Sequence, residues 1–294
     1  MEFMLRNKKT ILSFILPALI IYTIIVIVPI FSSVYYSFFR WNILDTIKFT
    51  GINNYISLFT KDDVFVISAK NTFLLMFWTI VIQTPLAIAL AIAISGSIKG
   101  KRYFKTVYFL PNILSSVAIG LLWSFIYNPD FGIVNRLLTS VGLENLTRLW
   151  LADEKTVMGS VVVVVCWQFV GYHMIIYLAA IENIPSELKE AALIDGVNQG
   201  KMIRYITLPL IKPIIRIDTI LMATGSLRFF DLIYVMTYGG PNHASEVIAS
   251  YMYYKAFRTY QYGYGSAISV VLLLLCLIVT VILKKMFSSE EIQY

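Results

Sequence analysis

The sequence predicts an all-α membrane protein that crosses the bilayer six times and leaves both termini in the cytoplasm. Three observations carry that expectation. Of the 294 residues, 58% are hydrophobic and only 14% charged, where a soluble domain carries about 25% charged residues. Six apolar runs each approach the ~20 residues that a helix needs to cross the hydrocarbon core. Between those runs the basic residues gather at alternate ends, the pattern of a positive-inside topology.

The first run, residues 11–31, follows Arg6, Lys8 and Lys9. It is too long for the core of a signal peptide and no small-residue cleavage site follows, so it reads as a span. Pro17 and Pro29 in this run, and Pro85 in the second run at 73–94, each remove a backbone donor and predict kinks. The remaining runs are 107–127, 157–180, 213–238 and 266–283. Lys99, Lys101, Arg102 and Lys105 separate the second and third; Lys189, Lys201, Arg204 and Lys212 separate the fourth and fifth; Lys284 and Lys285 follow the sixth. These groups are expected in the cytoplasm. The opposite connections mix fewer bases with acids such as Asp45, Asp130, Glu154 and Glu246. No repeat and no soluble domain interrupts the pattern, so residues 1–294 are expected to form one transmembrane domain.

Several functions are excluded by what the chain lacks. A net charge of +7 serves nucleic-acid binding only when the bases share one solvated face, and here they punctuate apolar segments. Cys166 and Cys276 each lie inside an apolar run, which provides neither a disulfide framework nor a CxxC site. A phosphate-cradling loop needs GxxxxGK followed by Ser or Thr; the nearest stretch, GSIKGKRY from Gly96, has the wrong spacing and no hydroxyl. His173 and His243 stand in different segments without a second ligand at metal spacing. No nucleophile has a base beside it. The chain is therefore expected not to be an enzyme and to hold no cofactor.

Against this apolar background, ELKEAALIDGVNQGKMIRYITLP, from Glu187 to Pro209, is a charged island. Pro185 and Ser186 can start a helix, and Glu187 and Glu190 place negative charge in its first turn. Leu188, Ala191, Ala192 and Leu193 favour the helix, and Gly196 is expected to end it. A second helical stretch over 198–205 precedes Pro209 and Pro213. Leu188, Ala191 and Ala192 fall three and four apart, giving a narrow strip of small residues suited to close approach by another protein surface. A helix resting on lipid headgroups would instead present bulky Trp, Phe or Leu.

EAALIDG followed after nine residues by ITLP resembles the EAA loop of permease subunits in binding-protein-dependent ATP-binding-cassette importers. Glu190, Ala191, Ala192, Gly196, Ile206, Leu208 and Pro209 match that pattern, while Val197 and Ile203 depart from it. FFDLIYVMTYGGP, from Phe229 to Pro241, together with YYKAF and GYGSAIS, is similar to the carbohydrate-uptake, maltose-type branch. The resemblance implies that the loop, about 182–212, is a coupling helix docking into a cytoplasmic ATPase subunit. Glu190 would make an ionic or capping contact, Ala191 and Ala192 the packed face, and Gly196 the turn. It also implies a second permease subunit, two ATPase subunits that bind the ATP and Mg, an extracytoplasmic solute-binding protein, a carbohydrate substrate, and residence in a bacterial or archaeal cell membrane.

Charged and polar groups inside spans mark the expected pathway, because a charge at mid-bilayer costs about 2.5–3.5 kcal/mol on insertion scales. Arg216 and Asp218 are expected to snorkel to the cytoplasmic end of the fifth span. Arg228 and Asp231, three residues apart, are expected on one helical face, either as an ion pair or as pathway lining. In the fourth span Gln168 and Tyr172 are four apart and His173 adjoins them; amides and aromatic rings can bond and stack on sugars, or simply tie helices together. The resemblance to maltose-type permeases points further to Tyr172 and Ser226 as sugar-lining positions. The segment 128–156 and GGPNHASE after the fifth span are the expected platform for the binding protein. A secondary transporter driven by an ion gradient would use midplane acids or discontinuous helices to bind protons or sodium, and a non-transporting scaffold would account for the charged loop but not for the polar face in the fourth and fifth spans.

Overall fold

The structure, a computed structural model, describes residues 8–43, 46–96 and 98–287. Arg6 and Asp45, used in the topology argument, lie outside the described residues. The chain is mostly helical. In order it forms α1 (Lys8–Tyr22), α2 (Val28–Tyr36), the two-residue strands β1 (Phe39–Arg40) and β2 (Lys48–Phe49), α3 (Asn53–Thr60), α4 (Asp63–Ser95), α5 (Lys101–Ile113), α6 (Ser116–Ile126) and α7 (Ile133–Ser140). There follow α8 (Val157–Glu182), α9 (Ser186–Ile194), α10 (Gln199–Met202), α11 (Leu208–Leu227), α12 (Asp231–Met236), α13 (Ile248–Tyr253) and α14 (Tyr262–Phe287).

Proline sets the internal irregularities of two of these segments. A proline has no N–H, and its ring clashes with the carbonyl four residues earlier. At Pro29 and at Pro209 the helix responds by widening just upstream, into π-helical turns at Thr23–Ile27 and Ile203–Thr207. There Val28 N–H reaches back to Thr23 O, and Leu208 N–H to Ile203 O, so the displaced carbonyls keep partners. The helix continues through both sites.

The described residues divide between two compact units, those up to Asp62 with Met252–Leu273, and those of Asp63–Tyr251 with those from Leu274; α13 and α14 each cross the boundary. In the first, β1 and β2 pair antiparallel with Phe39 opposite Phe49. Asn54 Nδ2 holds their base by donating to Ser37 O and Phe39 O at 2.7 and 2.9 Å. Trp41 lies between the rings of Tyr36 and Tyr262.

In the second unit α8 is the central helix. Sixteen of its 26 residues are buried, against α4, α5 and α11. The buried residues of α4 run Phe65, Ser68, Thr72, Leu75, Thr79, Gln83, Ala87, Ala91 and Ile94. Steps of three and four place them in one stripe, polar in its middle and small toward its end. Because the bilayer core gives polar groups no water, that middle must find partners in the protein. Thr72 Oγ accepts from Ile248 N–H at 3.0 Å, and Gln83 Nε2 donates to Val165 O at 3.0 Å. On the other side of α8, Gly171 lets α5 approach: a Cβ there would stand 1.8 Å from Tyr108 O.

Four helical segments are long and apolar enough to cross a membrane: Ile11–Tyr36, Asp63–Ser95, Val157–Glu182 and Tyr262–Phe287. They contain the first, second, fourth and sixth expected spans. The third, 107–127, is not one rod. Leu114 and Ser115 adopt extended backbone just after Pro111, and α5 and α6 meet at 96°. Counted as one broken span, they make a fifth. The expected span at 213–238 is also interrupted: α11 ends at Leu227, and Arg228 to Phe230 separate it from α12.

The packing of α5 on α8 can be tested with two glycines of one helix. Gly171→Ala should lower the thermal unfolding temperature of the detergent-solubilised protein by several degrees, since overpacking costs about 1–3 kcal/mol. Gly159→Ala, with nothing within 4 Å of its would-be Cβ, should be neutral or slightly stabilising by helix propensity.

Candidate functional site

A cavity of about 290 Å3 opens among α4, α8 and α11 in the second unit. Its aromatic walls are Phe169, Tyr172 and Phe229, with the Phe169 and Phe229 rings edge-on at 6.3 Å. Its polar groups are Thr79, Gln83, His173 and Ser226. Thr79 Oγ and Ser226 Oγ lie 2.9 Å apart, so α4 and α11 are joined by the same hydroxyls that face the cavity. A hydroxyl-rich ligand meets both donors and acceptors here, and flat apolar faces beside them.

Of the residues expected on the pathway, the cavity brings together Tyr172, His173 and Ser226. Tyr172 is 38% exposed and presents its ring, whereas His173 and Ser226 are buried in the wall. Gln168 is not part of it. Helical residues advance about 100° each, so Gln168 lies about 100° round α8 from Phe169, beyond the edge of the stripe formed by Val165, Phe169, Tyr172 and His173. It is buried in the helix packing, with its Oε1 unpartnered.

Arg228 and Asp231 are also elsewhere, and they do not share a helical face. The helix stops between them: Arg228 caps α11 and donates Nε to Thr224 O at 3.2 Å, while Asp231 opens α12. Both are exposed, and no ion pair joins them among the described residues. Asp218 does not snorkel either. It is 0% exposed, and its two carboxylate oxygens lie 2.9 and 3.0 Å from Nδ1 of His173. The expectation failed because a carboxylate is too short to reach the headgroups from a buried helical face, so it takes a partner from the facing helix. Thr79 and Gln83 were missed altogether, although two polar residues four apart in an otherwise apolar run are a legible signal of a helix contact or a lining face.

The charged island folds as α9, a turn and α10. Asp195, Gly196 and Val197 close α9 with a Schellman motif: Val197 N–H bonds Ala192 O at 2.9 Å, Gly196 N–H bonds Leu193 O at 3.1 Å, and Gly196 takes φ +73°. Asn198 then caps α10, its Oδ1 accepting from Lys201 N–H at 2.9 Å. Glu190 and Ala191 are exposed, Leu208 is half-buried and Pro209 is exposed beyond the π-helical turn. Ala192, expected on the outer face, is buried within its own chain. Leu188 and Ala191 of the expected strip are exposed, and Leu193 and Ile194 join them, the last 86% exposed. The outer face of α9 is thus bulkier than a strip of alanines, and the absence of bulky residues no longer separates it from a helix resting on lipid headgroups. At the base of the island, Glu182 binds Lys101 Nζ at 2.6 Å and Lys105 Nζ at 3.3 Å, joining α8 to α5.

At the other end of α8 two loops are fastened together. Asn242 Nδ2 donates to Glu154 Oε1 at 2.6 Å. Tyr238, Gly239, Asn242 and His243 all take positive φ, a conformation stabilised around the buried carboxylate of Glu246, which accepts from Ser250 Oγ and pairs with His243 Nδ1. Asn71 Nδ2 donates to the backbone oxygens of Ala244 and Glu246, both at 2.9 Å. In the neighbouring segment Trp150 Nε1 donates to Asn135 Oδ1 at 2.7 Å. Among the described residues, no group of three or more His, Cys, Asp or Glu side chains is placed to hold a metal ion.

The chain as a whole is similar to known proteins. Residues 83–289 match the family described as binding-protein-dependent transport system inner membrane component. The chain is 38% identical over 289 residues to the probable ABC transporter permease protein YurN of Bacillus subtilis (strain 168), covering 97% of this chain and 98% of the relative. It is 31% identical over 287 residues to the multiple sugar-binding transport system permease protein MsmF of Streptococcus mutans, covering 97% and 98%. The probable starch degradation products transport system permease protein AmyD of Thermoanaerobacterium thermosulfurigenes is 30% identical over 281 residues, covering 95% and 94%. Among solved structures, a chain of a bacterial ABC transporter involved in the import of the acidic polysaccharide alginate superposes with a TM-score of 0.82 at 25% identity, covering 95% of this chain and 94% of that one. A family match over well over half of the chain, and relatives that cover nearly all of it, place this multi-pass membrane protein: it belongs to the binding-protein-dependent transport system inner membrane components.

Proposed function

We propose that this chain is the permease subunit of an ATP-driven importer of sugars, oligosaccharides in particular, in a bacterial or archaeal cell membrane. The observation that carries the substrate class is the cavity itself, which sets Phe169, Tyr172 and Phe229 around the hydroxyl pair of Thr79 and Ser226. The names of MsmF and AmyD, which refer to multiple sugars and starch degradation products, support the same class. At about 290 Å3, the cavity falls just below the ~300–1,000 Å3 of pockets that enclose a small ligand. It fits half of a passage, with a second permease subunit supplying the rest.

In this reading residues 1–294 act as one transmembrane domain. The broken pairs α5–α6 and α11–α12 complete six crossings, and both termini are cytoplasmic. The loop over 182–212 then lies in the cytoplasm and docks into an ATPase subunit, one of two that bind ATP and Mg; this chain needs no cofactor of its own. Glu190 offers a charge to the docking cleft, Ala191 a small contact, and Gly196 the turn between α9 and α10. Leu208 and Pro209 set the π-helical turn that leads into α11. The bulk of the contact comes from Leu188, Leu193 and Ile194. Closure of the ATPase pair on ATP carries these loops with it and swings the membrane helices between inward- and outward-facing states. At the opposite face, the segment 128–156 and the loop around Asn242 receive a solute-binding protein, and their mutual bond through Glu154 supports that use.

Two outcomes test this function. Gly196→Pro demands a φ that proline cannot adopt, and Glu190→Lys reverses the exposed charge. In membrane vesicles holding the complete system, both variants should insert normally but lose at least ten-fold in sugar uptake per ATP hydrolysed; unchanged coupling in both would remove the docking role. Tyr172→Ala and Phe169→Ala should raise the KM for the transported oligosaccharide several-fold while co-purification with the ATPase stays intact. Wild-type uptake kinetics in both would move the passage elsewhere.

A further inference from the structure

The wall of the cavity contains a hydrogen-bonded pair that the transport reading does not use. Asp218 of α11 is fully buried, and both its oxygens are within hydrogen-bond distance of a single nitrogen, Nδ1 of His173 on α8, at 2.9 and 3.0 Å. The Tyr177 hydroxyl, one turn further along α8, lies beside the same carboxylate but makes no hydrogen bond of good geometry. An ionised carboxylate only accepts, so with Asp218 ionised the proton of the His173–Asp218 bond sits on Nδ1. The other ring nitrogen, Nε2, has no partner among the described residues, and His173 lines the cavity beside Tyr172 and Ser226.

We infer that Asp218 fixes the tautomer and orientation of His173, so that Nε2 meets the cavity as a hydrogen-bond acceptor for one hydroxyl of the carried sugar. His173 is then a specificity-determining residue and Asp218 the positioning residue behind it. A carboxylate behind an imidazole holds the ring and strengthens the far nitrogen as an acceptor, as it does for metal-bound histidines. An acceptor in a wall discriminates where an apolar ring cannot. A sugar that lacks the matching hydroxyl leaves Nε2 unpaired in a dry site, which costs more than a lost contact. The inference rests on the cavity being the sugar passage.

A purely architectural link between α8 and α11 makes a different prediction at Asp218→Asn. Asparagine keeps the size and can still bond the ring, but it is neutral and no longer holds the proton on Nδ1: its amide N–H can donate to Nδ1 and leave the ring proton on Nε2, whereas its carbonyl can only accept from Nδ1–H and keep the wild-type tautomer. Packing survives in both arrangements, and in the first the cavity loses its acceptor. Nitrogen-15 NMR of histidine-labelled complete transporter in lipid nanodiscs reads this directly, with the His173 signals identified by their loss in His173→Gln. The expected result is an Nδ1–H tautomer in the wild type and an Nε2–H tautomer in Asp218→Asn; an Nε2–H ring in the wild type overturns the inference. In parallel, uptake is measured in vesicles with maltotriose, cellotriose and diacetylchitobiose as probes. The KM for the carried sugar should rise ten-fold or more in His173→Ala and Asp218→Asn, with partial recovery in His173→Gln and an unfolding temperature close to wild type. A fall in unfolding temperature with unchanged KM makes the pair a structural latch and overturns the inference. If Tyr172→Ala and Ser226→Ala are impaired while both pair variants keep wild-type KM, this inference alone fails; if all four transport normally, the sugar passage itself lies elsewhere.

Discussion

The second unit of this protein depends on one constraint: in a medium without water, polar groups on α4, α8 and α11 take their partners from the protein, and three of these bonds reach across to a facing helix. Gln83 reaches the backbone of α8, Thr79 meets Ser226, and Asp218 takes His173. Each bond crosses between two helices, and together they fix the rotation of all three. Interhelical hydrogen bonds in membranes are individually modest, about 0.6 kcal/mol on average. Their effect here is geometric. They set which faces meet, and the cavity is the space that those faces leave.

The same economy governs the ends of the helices. The Schellman motif at Gly196 and the cap at Asn198 satisfy the backbone ends of α9 and α10 locally, while Lys189 Nζ donates to Ile181 O of α8 at 3.3 Å. The outer face of the island exposes Leu188, Leu193 and Ile194. The π-helical turn before Pro209 joins the island to α11, the helix that bears both Ser226 and Asp218. The island and one wall of the cavity are therefore parts of one continuous segment.

Much of this was legible in the residues. The apolar runs predicted the long helices at Ile11–Tyr36, Asp63–Ser95, Val157–Glu182 and Tyr262–Phe287, because length and hydropathy depend on composition alone. Gly196 announced the turn, because a left-handed position after a helix is a local demand that glycine meets. Tyr172 and His173 could be named because polar residues are conspicuous in an apolar run, whereas Ser226 was named through the family resemblance. What failed needed neighbours. The break after Leu227 undid the expected pairing of Arg228 with Asp231, and nothing in that apolar stretch marks where the helix stops. Gln168 looked equivalent to Tyr172 from four residues away, yet only the packing of α8 decides which side of a stripe faces a cavity.

The sequence by itself determined the class of molecule, the positions of its long helices and the rigid turn of the charged island, since hydropathy, helix caps and turn conformations act over a few residues. Only the tertiary structure decided that Asp218 binds His173 across 45 positions of chain, that Ala192 turns inward while Ile194 turns out, and that α5 and α6 meet at 96°. The reason is physical. A local signal states what a residue requires, a partner for a carboxylate or cover for a methyl group, but which group supplies it depends on which helices come within reach.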